Sequence, residues 1–242
     1  MGLSGVEIPM FDPSALPVDS IRNAFEANGL ECTVCAILPK SINPISPDAG
    51  VRRRAIEHLT RCVEAARAMG AKLLGGPLFA PIGYLPRHRP RPAELSWAAT
   101  AFQALSSVLD ENDMQLSLEP VNRSETFFLR TAAEAKQLCE LIGNPRIGVT
   151  IDTFHANIEE KDPIAAIRTC ADYMVHVHIS ENDRSTPGAG NLPWAETFDT
   201  LKETGYQGWI TVELYPYIDD PDEAGLEAKQ YLERTLRKIQ TV

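Results

Sequence analysis

The chain has 242 residues, of which 44% are hydrophobic and 23% charged, a composition typical of a globular domain rather than a fibrous or disordered one. Its net charge of −10 argues against duplex DNA or an anionic membrane as the main partner, because phosphate binding needs a basic surface. No long apolar run or basic-then-apolar leader is present, so we expect a cytoplasmic protein. Five cysteines, an odd number, indicate reduced thiols rather than a disulfide framework.

Short apolar runs rich in Val and Ile alternate along the chain with amphipathic helical stretches. The predicted strands are Gly5–Pro9, Cys32–Leu38, Ala71–Gly76, Gln115–Pro120, Ile147–Asp152, Tyr173–Ile179 and Trp209–Leu214. Helical patterns between them include Arg52–Met69, Glu94–Asn112, Ala132–Ile142, Trp194–Thr204 and Glu223–Ile239. Since no Ser- or Gly-rich linker interrupts the alternation, residues 1–242 are predicted to form a single domain.

This alternation predicts right-handed βαβ crossovers and a parallel sheet. An open doubly wound sheet and a closed barrel share the pattern. No G-x-G-x-x-G sequence opens a helix, which disfavours a nucleotide-binding sheet. The positions of the polar residues then decide between the two.

Four residues with metal-ligand chemistry lie at or near the C-terminal ends of successive predicted strands: Glu119, Asp152, His178 and Glu213. Successive members are roughly 30 residues apart, the length of one βα unit in a TIM barrel, so closure would aim all four at one point. Three carboxylates and an imidazole suit Mn²⁺, Mg²⁺ or Co²⁺ better than a thiolate-preferring metal. A lone carboxylate at a strand end is usually a cap, but four in register predict a metal site in an α/β TIM barrel.

Two other features of the strands are interpreted as structural. His176 faces the same side as His178 but one layer deeper, so we interpret it as a hydrogen-bonded interior histidine. Cys32 and Cys35 form a C-x-x-C, but an offset of three puts their side chains on opposite faces of a strand. We therefore interpret both as core thiols.

Three further polar residues each follow one of the predicted ligands by three or six positions in the sequence: Glu125, His155 and Arg184. Their positions are on predicted βα loops, where a TIM barrel makes its substrate contacts. Glu125 also fits a helix-capping acid, and Arg184 a solvated cation.

Four segments resemble the signature sequences of the D-tagatose/D-allulose 3-epimerase family, a group of xylose-isomerase-like TIM barrels. They are LEPVNRSETFFLRTAAEA, IDTFHANIEE, HVHISENDRSTPGAGNLPW and GYQGWITVELYP. The resemblance is strong from about Glu111 to Pro216 and weaker but collinear back to Gly5. It implies a ketose substrate, a divalent metal (Mn²⁺ first, Co²⁺ or Mg²⁺ as alternatives) and a homodimer or homotetramer.

Carried over by motif, the metal ligands are Glu119, Asp152, His178 and Glu213. The resemblance assigns Glu125, His155 and Arg184 to the hydroxyls and carbonyl of the ketose. Epimerisation at C3 removes a proton beside the C2 carbonyl and returns one from the other face, so it needs two carboxylates. Glu119 and Glu213 are predicted to be this pair, with the metal stabilising the charge on the intermediate.

Other functions stay open at this point. Hydroxypyruvate isomerases resemble the chain but typically carry Gln where His178 stands, and inosose dehydratases use similar ligands. A three-zinc endonuclease is disfavoured by the acidic charge and by only five histidines. A truncated, inactive sugar-binding relative is a further alternative.

The family normally has eight βα units, and here the first appears absent because GVEIP begins at Gly5. Two explanations stay open: a start codon assigned too far downstream, or true loss of the unit. We expect seven strands and an unpaired seam between the first and last, covered by a second subunit. The proline-rich, basic loop of residues 79–94 is either a lid over the site or a solvated loop.

Overall fold

In a computed structural model, which describes residues 2–215 and 219–240, seven parallel strands form one sheet in sequential order. The strands are β1 (Gly5–Met10), β2 (Glu31–Ala36), β3 (Leu73–Gly75), β4 (Gln115–Leu118), β5 (Ile147–Asp152), β6 (Met174–Ile179) and β7 (Trp209–Val212). The strand sequence, order and direction predicted above are confirmed. The molecule is a TIM-barrel-like α/β fold that is nearly closed.

Nine helices connect and cover the strands in the described part of the chain. They are α1 (Val18–Asn28), α2 (Ala49–Ala68), α3 (Pro92–Gln103), α4 (Ser106–Glu111), α5 (Ala132–Ile142), α6 (Thr153–Glu159), α7 (Pro163–Cys170), α8 (Trp194–Glu203) and α9 (Pro221–Gln240). The single helix predicted over Glu94–Asn112 is wrong, since it is divided between α3 and α4. The backbone at Leu105 departs from helical values (φ −86°, ψ −5°) while its side chain is fully buried. No Gly or Pro marks this break, so packing rather than local propensity sets it.

The core lies mainly between the sheet and the helices, with smaller side chains inside the barrel. On the helix side, Leu59 and Val63 of α2 are fully buried. On the inner side, Ser117 and Thr150 are fully buried and their hydroxyls lie 2.5 Å apart. Small inner residues leave the barrel interior free for longer polar side chains. All five cysteines are free thiols, as predicted.

A seam separates the two ends of the sheet. No ladder joins β1 to β7, both of which are described in full. The ring of Trp209 lies against Gly5, so the strands are close. Val6 and Trp209 are 44% and 37% exposed beside this gap. The predicted seven strands and open seam are therefore confirmed. Within the described ranges, no helix is long and apolar enough to cross a membrane.

We expect Gly76→Ala to destabilise the fold strongly. Gly76 has φ +122°, and a Cβ there would overlap the carbonyl oxygen of Ala36. Steric overlap with backbone adds to the dihedral strain, so a loss above ~3 kcal/mol is expected. Gly83 is the control, because it also has positive φ (+80°) but open space around it. Gly83→Ala should cost only ~1–2 kcal/mol. Urea unfolding measures both, and equal losses would contradict the argument.

Self-association across the seam stays a prediction. Because exposed strand edges are normally covered, we expect sedimentation velocity to show a dimer or larger species. A Lys in place of the exposed Val6 on β1 should shift the population towards monomer, whereas a wild-type monomer would rule the seam contact out.

Candidate metal centre at the barrel mouth

The four predicted ligands converge at the C-terminal mouth of the barrel. Glu119, Asp152, His178 and Glu213 each offer one donor atom, and these atoms all lie within 4.8 Å of one another. His178 Nδ1 is 3.0 Å from Glu119 Oε1 and 3.8 Å from Glu213 Oε2. We call these residues the four-residue site.

Strand ends fix the backbone of this site. The amide of Glu119 donates to the carbonyl of Gly76 after β3, at 3.1 Å. The amide of Glu213 donates to the carbonyl of Ile179 at the end of β6, also at 3.1 Å. The backbone of each glutamate is thus held by the end of the neighbouring strand. The convergence expected from the spacing of the sequence follows from this register.

Buried negative charge dominates the electrostatics. Glu119, Asp152 and His178 are almost completely buried, and Glu213 is partly exposed. Burial, followed by repulsion from Glu119 and Glu213, raises the pKa of Asp152 to about 8. Burial also raises the pKa of Glu119, although His178 opposes the shift.

The donor set fits a divalent cation. Oδ2 of Asp152 is buried and has no hydrogen-bond partner among the described residues, which is costly for a carboxylate oxygen. Three carboxylate oxygens and an imidazole nitrogen match the preference of Mn²⁺, Co²⁺ or Mg²⁺. A cation placed among them would give this oxygen a close partner and offset the mutual repulsion.

Arg184 contacts the four-residue site directly. Its Nη1 donates to Glu213 Oε2 at 3.0 Å, and its Nη2 lies 3.5 Å from Asp152 Oδ2. The guanidinium lies over the Phe154 ring, 4.4 Å from its centroid. Its side chain is 15% exposed, so the interpretation as a solvated cation is wrong.

His155 and Glu125 continue this contact network. His155 Nε2 is 2.8 Å from Arg184 Nη2, and its Nδ1 accepts from the amide of Asn122 at 3.1 Å. The Asn122 side chain donates to Glu125 Oε1 at 2.8 Å. Burial, followed by Arg184 and His178, lowers the pKa of His155 to about 3, so the imidazole is neutral. Glu125 caps no helix here, and its carboxylate faces Asn122 instead.

Glu181 organises the loop that carries Arg184. Its buried carboxylate accepts from the amides of Gly188 (2.7 Å) and Leu192 (3.2 Å), and from Trp194 Nε1 (2.5 Å). Burial opposes ionisation, but these donors, Trp194 first, hold the pKa of Glu181 below its usual value. Arg184 itself has φ +66°. The Glu181 carboxylate therefore connects the start of the loop to its end. Arg184 lies between these points in a strained backbone conformation.

Sequence reasoning missed Asn122, Glu181 and Glu7. Glu7 is an acid inside the otherwise apolar first strand, and that signal was available. Its Oε1 is 2.7 Å from His178 Nε2, and its Oε2 is 3.0 Å from His176 Nε2. Burial raises the pKa of Glu7, but His178 and then His176 more than offset this and hold it far below its usual range.

The predicted interior position of His176 is confirmed, since the residue is fully buried below His178. Its Nε2 faces both Glu7 and Thr211 Oγ1, the latter at 3.3 Å. Its Nδ1 has no hydrogen-bond partner within the described ranges. The interior histidine is therefore paired on one nitrogen only.

The loop of residues 79–94 docks beside the site. The Gly83 amide donates to the Glu125 carbonyl at 2.7 Å. Tyr84 and His88 pack edge-on against Phe127, with ring centroids 5.6 and 5.5 Å away. The loop is therefore attached to the segment that carries Glu125 rather than fully solvated.

Comparison with known proteins gives the family. The profile of the xylose isomerase-like TIM barrel matches residues 1–235. A probable ketose 3-epimerase of Synechocystis sp. is 31% identical over 218 residues, covering 90% of this chain and 76% of that protein. A D-psicose 3-epimerase of Enterocloster bolteae is 31% identical over 211 residues, covering 86% and 69% respectively.

A solved L-ribulose 3-epimerase has the same architecture. It superposes with a TM-score of 0.91 at 28% identity, covering 99% of this chain and 88% of that one. Together with the profile match and the 31% identity over 90% of the chain, this shows that the chain belongs to the ketose 3-epimerase family of xylose isomerase-like TIM barrels.

Proposed function

We propose that this isomerase is a metal-dependent 3-epimerase of a free ketose of the D-tagatose, D-fructose or D-allulose type. The observation that carries the proposal is the four-residue site itself, in which two carboxylates flank one point from different strands. Glu119 follows β4 and Glu213 follows β7, so their side chains approach from different sides of the barrel mouth. Relatives named for D-psicose and L-ribulose support a ketose substrate.

The metal would be held by Glu119, Asp152, His178 and Glu213, and Mn²⁺ is our first choice, with Co²⁺ or Mg²⁺ as alternatives. When bound, it supplies electrostatic stabilisation of negative charge on the oxygens next to the reacting carbon. Asp152 and His178 have no proton-transfer role in this proposal. Their task is to hold the cation.

Glu119 and Glu213 are the proposed acid and base. One takes the C3 proton to give a cis-enediolate, and the other returns a proton from the opposite face. For the reverse epimer the two exchange roles, which is why one carboxylate on each side is needed.

Arg184, His155 and Glu125 are the proposed substrate-binding residues. Arg184 and His155 lie side by side at the edge of the four-residue site, where a guanidinium can stabilise the developing oxyanion. Glu125 is partly exposed and linked to His155 through Asn122, so it can accept a hydrogen bond from a sugar hydroxyl.

An inactive sugar-binding relative is the second candidate, and the open seam between β1 and β7 is the observation that favours it. The seam leaves the mouth next to Glu213 without a covering strand. The ligand set is complete, however, which favours the active enzyme. The test below also distinguishes epimerisation from the reactions of hydroxypyruvate isomerase and inosose dehydratase.

Cytoplasmic location is also a proposal. Its support is the five free thiols, since a reducing compartment maintains unpaired cysteines.

Solvent-deuterium exchange tests the proposed reaction. Mn²⁺-loaded protein incubated with D-fructose, D-tagatose or D-allulose in D₂O should incorporate deuterium at C3 and form the C3 epimer, followed by NMR. Sugar binding without exchange would support the inactive relative. Exchange at C1, or loss of water from the substrate, would indicate an isomerase or dehydratase.

Glu119→Gln and Glu213→Gln should each lower kcat by about 10²–10⁴-fold, because each removes a proton-transfer group. The metal content of each variant is measured together with its rate, because each substitution also removes the negative charge of a proposed metal ligand. Glu203→Gln on α8 is the control: its ion pair with Arg168 is solvent-exposed, so its rate should not change. Unimpaired epimerisation by either site variant would refute the two-carboxylate mechanism.

Glu181→Gln should raise KM and lower kcat/KM roughly tenfold or more, because charge-assisted hydrogen bonds of ~1.5–3 kcal/mol position the Arg184 loop. Mn²⁺ affinity should stay unchanged, since Glu181 contacts no proposed ligand. Asp183→Asn is the matched control in the same loop: its carboxylate is exposed and accepts hydrogen bonds from Ser185. Equal effects of the two changes would contradict the role of Glu181.

A further inference from the structure

Glu7 is a buried carboxylate that the proposed reaction does not use. It lies on β1, and its side chain is 8% exposed. Its two oxygens face two imidazoles of β6, His178 at 2.7 Å and His176 at 3.0 Å. A buried carboxylate is costly unless it is paired, so this contact requires a physical reason.

The ring of His178 presents its two nitrogens to different groups. Nδ1 faces Glu119 and Glu213, whereas Nε2 faces Glu7. Only a nitrogen without a proton can bind a metal, and the group beside the other nitrogen decides which tautomer forms. Carboxylates lie beside both nitrogens, but those beside Nδ1 belong to the proposed ligand set. With a cation bound to them, Glu7 would be the carboxylate left to hold the proton, on Nε2. The lone pair of Nδ1 is then directed towards the other members of the four-residue site.

Glu7 is in turn fixed by the layer below. Its second oxygen meets His176 Nε2, which also lies 3.3 Å from Thr211 Oγ1. The His176 and His178 rings are 4.8 Å apart and nearly perpendicular. The carboxylate therefore has one defined position between two rings rather than several alternatives.

Glu7, His176 and His178 also have the spacing of a second metal site. Occupation of both sites would require His178 to bind a metal through each nitrogen, and so to lose both of its protons. Imidazolate is strongly disfavoured beside several carboxylates. The 2.7 Å approach of Glu7 Oε1 to His178 Nε2 thus favours a charge-pairing role for Glu7.

We infer that Glu7 is a positioning residue that holds the proton on Nε2 of His178 and orients the ring so that Nδ1 binds the metal. This inference rests on the proposed function, because it assumes that His178 is a ligand. Outer carboxylates of this kind typically contribute 10–100-fold to metal affinity.

Glu7→Gln tests the inference, since it preserves the shape and an acceptor oxygen but removes the charge. Titration of the apo protein with Mn²⁺, followed by the EPR signal of free Mn²⁺, should show about 10–100-fold weaker binding. Ser117→Ala is the matched control: it removes a buried hydroxyl from the same barrel interior without touching His178. Its affinity should stay within twofold of wild type, and thermal unfolding of both apo variants verifies folding.

A second measurement needs no variant. Nitrogen-15 NMR of histidine-labelled, Zn²⁺-loaded wild type should show His178 protonated at Nε2, and Glu7→Gln should add a second His178 form. A proton on Nδ1 in the loaded wild type would overturn the inference. Two Mn²⁺ ions per chain would overturn it as well.

The two possible failures are distinguishable. If wild type binds no Mn²⁺, or if Asp152→Asn leaves its affinity unchanged, the proposed metal site fails and takes this inference with it. If wild type binds tightly and Glu7→Gln binds equally tightly, only the role of Glu7 is refuted.

Discussion

Mutual repulsion among buried carboxylates is the interaction on which the rest of this structure depends. Glu119 and Asp152 are almost fully buried within reach of Glu213, and burial of like charges is unfavourable unless positive groups compensate. His178 and Arg184 are the positive groups in contact with them. One oxygen of Asp152 has no hydrogen-bond partner in the described part of the chain, and Arg184 Nη2 lies 3.5 Å from it. This incomplete compensation favours a bound cation.

A barrel of parallel strands brings these carboxylates close together because the register of its backbone sets the spacing between the strand ends that carry them. The amides of Glu119 and Glu213 are each hydrogen-bonded to the residue that ends or follows the preceding strand, so the backbone positions from which the two carboxylates project are fixed. Small residues such as Ser117 leave room beneath the site. Glu7 and His176 fill part of that room and contact His178 from below.

Loops supply the other side of the site, and each is stabilised independently of the metal. The Arg184 loop closes on the buried carboxylate of Glu181. Asn122 connects Glu125 to His155, and Gly83 attaches the loop of residues 79–94 to the Glu125 carbonyl. The proposed substrate-binding residues are therefore positioned by contacts within the chain, which would lower the entropy cost of binding a sugar.

The sequence by itself determined the strand order, the fold class and the four candidate ligands that the structure brings together, because one polar residue per βα unit is a periodic signal. It also placed Glu125 and Arg184 on loops near the site, whereas His155, predicted on a loop, lies in α6 because the helix begins directly after β5. It did not show the break between α3 and α4, which no Gly or Pro marks, nor the contacts of Glu181.

Only the tertiary structure decided what faces His178 from beneath. Glu7 and His178 are on the first and sixth of seven strands, far apart in sequence, and they meet only because the sheet curves back on itself. Likewise, the charge environment of Arg184 depends on Glu213 and Asp152, which belong to other units. Periodicity along the chain identifies which residues point inwards, but pairings across a curved sheet follow from its closure, which no local pattern encodes.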